Sequence, residues 1–148
     1  MPIDSKPLDI RPLDIHGICP LLAVFDMPTT IRFYCDILGF EIVNTSDPTP
    51  EEPHFYWALV RLHGAELMFN TAYAHPRRPP VPEPARTTHH RDTTLYFHCP
   101  DVDIAYQYLL SAGVELKPPF NQSYGMRQLY FTDPDGYQLC FHHPIPAA

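Results

Sequence analysis

The sequence predicts an α+β fold of two tandem β-α-β-β-β modules that together wrap around one small-molecule cavity. Three features that recur in the same order in each half predict it: a helix cap, a helix-stopping glycine and a hairpin glycine. Asp26 and Asp101 are 75 residues apart, Gly39 and Gly113 are 74 apart, and Gly64 and Gly136 are 72 apart. Unrelated strands do not keep step across half a chain, so the nearly constant offset marks an internal repeat.

Residues 18–25 form a mainly apolar run broken by Pro20, which reads as the first strand. Asp26, Met27 and Pro28 then start a helix, because a carboxylate can cap free backbone N–H groups and proline suits the first turn. Ile31, Tyr34, Cys35 and Leu38 follow at i, i+3, i+4 and i+7, one buried helical face, and Gly39 ends the helix. Strands are expected at 40–45, 55–62 and 65–70, the last two joined through His63 and Gly64. The second half repeats this order. A strand at 94–99 precedes a helix capped by Asp101, striped by Ala105, Tyr108, Leu109 and Ala112, and stopped by Gly113. Strands follow at 114–117, 126–132 and 137–142. Asp133-Pro134-Asp135-Gly136 joins the last two, a type I turn by its proline and glycine positions.

The modules therefore occupy residues 17–70 and 93–143, with a Pro-rich N-terminal extension at 1–16 and a tail at 144–148. Between them, residues 71–92 are rich in Pro, Arg and His. Such a stretch runs over the outside or clasps a partner chain.

Bulk properties narrow the function classes. A net charge of −7 argues against a nucleic-acid phosphate surface. No apolar run approaches the roughly 20 residues of a membrane span, and the first 15 residues hold no apolar signal core. A cytoplasmic location is the default expectation. The four scattered cysteines, Cys19, Cys35, Cys99 and Cys140, include no C-x-x-C pair and read as reduced thiols.

Particular stretches resemble the vicinal oxygen chelate superfamily, which includes glyoxalase I, extradiol dioxygenases, fosfomycin-resistance transferases and bleomycin-resistance proteins. They are Pro20-Leu21-Leu22-Ala23-Val24-Phe25-Asp26, Phe33-Tyr34 with Leu38-Gly39-Phe40, Tyr124-Gly125-Met126-Arg127, and Phe131-Thr132-Asp133-Pro134-Asp135-Gly136. The resemblance runs from about Cys19 to His143 and implies curved mixed sheets around a cleft, in chains that often form homodimers. It also implies four metal-ligand positions, one on the first and one on the last strand of each module. Aligned on Asp26, Asp101 and the turn glycines, these fall at Cys19, Met68, Thr94 and Cys140. The usual metals of such sites take imidazole nitrogen and carboxylate oxygen, so this set implies the metal-free, bleomycin-resistance-like branch with no cofactor.

Period-two alternation supplies the remaining candidates. Glu66 shares the face of Met68 and is the candidate general base or hook for a cationic group, or else a polar residue satisfied by water. Leu21, Ala23, Tyr96, His98, Gln138 and Cys140 are expected to line the cleft, with His98 at its mouth. One of Tyr56 and Trp57 should face inward, and Trp57 is taken as the contact. Arg127 is either a partner for an anionic ligand group or a structural ion pair. The His89-His90 and His142-His143 pairs read as solvated surface. Three functions follow: sequestration of a small cationic or aromatic molecule, a metal-dependent lyase, isomerase or dioxygenase using Glu66 with His98 or His142, and soft-metal or electrophile handling by Cys19 and Cys140. The first is favoured, which makes the protein a binder rather than an enzyme.

Overall fold

A computed structural model describes residues 12–147. Most of the predicted N-terminal extension, residues 1–11, lies outside the described residues, as does Ala148. In the first half, β1 (Leu21–Val24) leads to α1 (Met27–Ile31), which continues as a π turn (Arg32–Ile37), then β2 (Glu41–Thr45), β3 (Trp57–Leu62) and β4 (Ala65–Thr71). Residues 72–92 carry only short turns and α2 (Pro84–Thr87). In the second half, β5 (Thr94–His98) leads to α3 (Val102–Ser111), then β6 (Phe120–Asn121), β7 (Met126–Thr132) and β8 (Gln138–Pro144). Two four-stranded mixed sheets result, ordered β1-β4-β3-β2 and β5-β8-β7-β6. The same order in both confirms the repeat read from the sequence.

Local chemistry explains the element ends. The Asp26 carboxylate accepts the Thr29 N–H at 3.1 Å, and Asp101 accepts both Asp103 and Ile104 N–H at 3.1 Å. Each thereby satisfies donors that a helix start leaves open. Gly39 and Gly113 end the helices with φ of 90° and 86°, a region in which a Cβ is strained. Strand β1 is shorter than expected: it begins only after Pro20, and Ile18 stands 88% exposed outside it. The strand expected at 114–117 does not form. Val114 turns back to bond Leu109, and Pro118-Pro119 offers no N–H donors, so pairing begins only at Phe120.

Both sheets turn their backs toward one shared core. Leu22, Val24, Ala58, Val60, Leu67 and Phe69 of the first sheet join Leu129, Phe131 and Leu139 of the second in a single buried cluster. The Asp133–Gly136 turn ties the halves together. Asp133 accepts the Tyr34 hydroxyl at 2.7 Å, Asp135 accepts the Phe25 N–H at 2.8 Å, and the Tyr137 hydroxyl donates to the Ala23 carbonyl at 3.1 Å. Phe33 meets Phe131, and Phe40 meets Phe97, at centroid distances of 6.3 and 6.4 Å. The linker runs outside as a strap. Arg78 lies over the Phe25 ring and pairs with Asp26, while Arg86 lies over Tyr73. His90 departs from the solvated reading: it stacks on Tyr137 at 4.0 Å and bonds the Asp135 carbonyl at 2.7 Å.

Candidate functional site

The face of each sheet turned away from the shared core carries the candidate site residues. On the first sheet, strand register places Leu21 beside Met68 and Leu59, Ala23 beside Asn70 and Trp57, and Glu66 beside Arg61. Trp57 thus shares the open face with Leu21 and Ala23, whereas Tyr56 precedes the strand. Glu66 is paired with Arg61 at 3.2 Å on a solvent-exposed part of this face. A free hook for a cation would lack that partner.

On the second sheet, three cross-strand rows form. Thr94, Gln138 and Thr132 make one, Tyr96, Cys140 and Tyr130 the next, and His98, His142, Gln128 and Phe120 the third. Tyr96 and Tyr130 hydroxyls lie 3.2 Å apart, and Cys140 is buried in the same row. His98 and His142 stack at 5.0 Å with their planes 19° apart. Burial and the neighbouring histidines hold His142 below the usual imidazole range. The third row also holds Gln128, which is buried and accepts from Gln122, Tyr124 and Tyr130 at 2.8–3.2 Å.

The structure therefore gathers the predicted contacts as two groups. Leu21, Ala23, Trp57, Glu66 and Met68 stand on one open face, and Tyr96, His98, Gln138 and Cys140 on the other. Within one chain the shared core separates these faces. Arg127 is the correction. It occupies the alternate face of β7, toward α3, where it forms a two-pronged pair with Asp103 at 2.7 and 2.9 Å and also bonds Asn121. It is a structural ion pair and does not reach the open face. Because the pair is partly solvated, Arg127→Ala should lower stability by only about 1 kcal/mol. Ligand affinity should be unchanged, as urea titration and a binding isotherm would check.

Gln128, Tyr130 and Phe120 stand on the same open face and Tyr124 bonds to Gln128, but the sequence-based set lacks all four. The alternation applied to β5 and β8 would have found Gln128 and Tyr130 once carried across to β7. Tyr124 precedes β7, and no periodicity reaches it.

The four positions at which the resemblance implies a metal do not suit one. The Thr94 hydroxyl donates to the Gln138 side-chain oxygen at 2.7 Å, and Cys140 is fully buried. Burial pushes the Cys19 and Cys140 thiols up, and the Glu66 charge raises Cys19 further, so the thiolate that a metal or an electrophile would need is disfavoured. Among the described residues no three His, Cys, Asp or Glu side chains are grouped to hold a metal ion. No helix among them is long and apolar enough to cross a membrane.

The fold recurs in known proteins. The antibiotic-binding protein TnmS3 from Streptomyces sp. CB03234 is 25% identical with a TM-score of 0.63, over 89% of this chain and 98% of that one. A glyoxalase family protein from Enterococcus faecalis is 26% identical with a TM-score of 0.60, over 88% and 97%. The bleomycin resistance determinant encoded on transposon Tn5 shares the fold at 20% identity and a TM-score of 0.64, over 88% and 98%. No curated protein matches the sequence. The family model described as the Glyoxalase/Bleomycin resistance protein/Dioxygenase superfamily matches residues 16–141, and the chain belongs to that superfamily.

Proposed function

We propose that this protein binds and sequesters a small, flat, aromatic molecule without a metal, in a cleft that two copies of the chain complete. One observation carries the reading. Each open sheet face presents apolar and aromatic side chains to solvent, with Leu21 on one and Tyr96 on the other both 53% exposed. Contiguous apolar patches of this kind mark binding surfaces. A two-fold dimer would set the Leu21 face of one copy against the Tyr96 face of the other, twice, and so enclose two equivalent clefts. The lining is that of a small-molecule site, mostly apolar with a few placed polar groups. The similarity to an antibiotic-binding protein at 25% identity supports a small-molecule cargo.

The net charge of −7 attracts cations at long range, but Glu66 on the open face is already matched by Arg61. Ring stacking therefore outweighs charge in this cleft, which favours the aromatic class over the cationic one. A thermal-shift screen of planar aromatic compounds tests the reading. A true ligand at about 100 times its Kd should add about 2.7 kcal/mol of stability and raise the Tm. Tyr96→Ala should weaken that ligand by tenfold or more, as loss of a central aromatic contact does. Silence across the screen would refute sequestration of flat aromatics, and a monomer by sedimentation equilibrium would refute the two-chain cleft.

A further inference from the structure

We infer that Gln128 is the specificity-determining contact of this cleft, and that the ligand it selects is an uncharged planar ring system with a carbonyl oxygen on its edge. The inference deepens the proposed binding function and rests on it.

Gln128 is only 2% exposed, although it belongs to the open face of the second sheet. Its side-chain oxygen is fully used. It accepts the Tyr130 hydroxyl at 2.8 Å, the Gln122 amide at 3.0 Å and the Tyr124 hydroxyl at 3.2 Å. The Tyr130 hydroxyl in turn lies 3.2 Å from that of Tyr96. With the Tyr130 proton committed to Gln128, Tyr96 must be the donor to Tyr130, so the protons of this chain all run toward the Gln128 oxygen. The Gln128 amide nitrogen is in the opposite condition. It carries two N–H donors and, among the described residues, no protein acceptor meets either. No described buried side-chain nitrogen or oxygen lacks a partner, so this nitrogen is not fully sealed in and keeps a small part of its surface accessible, the residue as a whole being 2% exposed. Accepting at the oxygen polarises an amide and strengthens its donors.

The surroundings specify the rest of the ligand. Gln128 sits in its row between Phe120 and His142. Phe120 stacks near-parallel on Tyr130 at 6.1 Å, and His142 on His98 at 5.0 Å. These rings offer flat surface to either side of an unspent donor. Neither the three rows above nor the Met126–Pro144 pair beside them contains a carboxylate, lysine or arginine. An ionic ligand would lose water there without a counter-charge. A flat neutral ring with an edge carbonyl fills the surface and meets the amide.

The pair 9-fluorenone and fluorene tests this, because the two share one tricyclic frame and differ only in the carbonyl. Both are titrated into the wild-type protein by intrinsic fluorescence. Fluorenone should bind about tenfold tighter or more, since a donor left unpaired on burial is costly. Gln128→Leu should abolish the difference by lowering fluorenone to the affinity of fluorene. Equal affinity of the two compounds for the wild type would overturn the role of Gln128 and leave the cleft reading standing. Binding of neither, nor of any other flat ring, would overturn both. The wild-type comparison decides the matter even if the Leu variant does not fold.

Discussion

Replacing Tyr34 with alanine should destabilise the protein by about 3–5 kcal/mol, the range for removing a fully buried aromatic ring. The ring is completely buried and lies against three others, Phe69 at 4.7 Å, Phe33 at 5.1 Å and Phe40 at 5.9 Å. Tyr34→Phe separates the ring from the hydroxyl. That change should cost about 1–3 kcal/mol, because it leaves the buried Asp133 carboxylate without the donor now 2.7 Å away. Urea unfolding of both variants checks the pair. An alanine variant within 1 kcal/mol of wild type would mean that the halves are not joined through this side chain.

Acidification from pH 7 to pH 5 should strengthen the same junction. Asp133 accepts the backbone N–H groups of Asp135 and Tyr137, both at 2.9 Å, as well as the Tyr34 hydroxyl. These bonds favour the carboxylate, but burial works against it and wins. With help from the nearby Asp135 charge, Asp133 is pushed up to about 6 from 3.8. The folded chain then holds a proton over about pH 4 to 6 that the unfolded chain has released. Protonation in that window favours folding, so the stabilisation appears as pH falls through 6 and is complete near 4. The full window corresponds to on the order of 3 kcal/mol, and about half of that is gained between pH 7 and pH 5. Burial raises Asp135 as well, which adds in the same direction.

Other groups act outside this window or against it. Asp26 and Asp103 are lowered by their hydrogen bonds to Thr29 and Arg78 and to Arg127, despite desolvation that partly opposes it at each. Their contributions are present above about 4 and lost only as pH falls through values below that. His142 is depressed and opposes the effect, costing stability as pH falls from 6.5. The difference between wild type and Asp133→Asn isolates the junction. The wild type should gain unfolding free energy from pH 7 to pH 5 relative to the variant, and equal pH slopes would refute the assignment.

Much of this was legible in the sequence, for identifiable reasons. The caps at Asp26 and Asp101 and the stops at Gly39 and Gly113 depend on local backbone chemistry, so they could be read residue by residue. Strand faces followed from alternation, and Tyr96, His98, Gln138 and Cys140 share one face of the second sheet as parity requires, whereas the choice between Tyr56 and Trp57 needed the register of β3. The failures are non-local. Residues 114–117 have a strand-like composition, but whether they pair depends on Pro118-Pro119 and on a partner that the composition does not contain. Arg127 was placed by a motif without its parity being followed, and parity turns it toward Asp103. The Gln128 network draws on Gln122, Tyr124, Tyr130 and Tyr96 from separate segments, and only folding brings them together. The grouping of all contacts in one cavity assumed that the modules face each other. The shared core shows them back to back.

That back-to-back arrangement bears on how the chain is made. A duplicated sequence suggests halves that can form one after the other. Here the Phe25 amide and the Tyr34 hydroxyl meet partners 110 and 99 residues further along. Contacts of such long span must wait for the closure of large loops, which slows folding. During synthesis the Phe25 amide and the Tyr34 hydroxyl stay without these partners until the final hairpin has emerged. The Asp133–Gly136 turn is therefore a late-arriving latch, and the first module is most open to misassociation just before it closes.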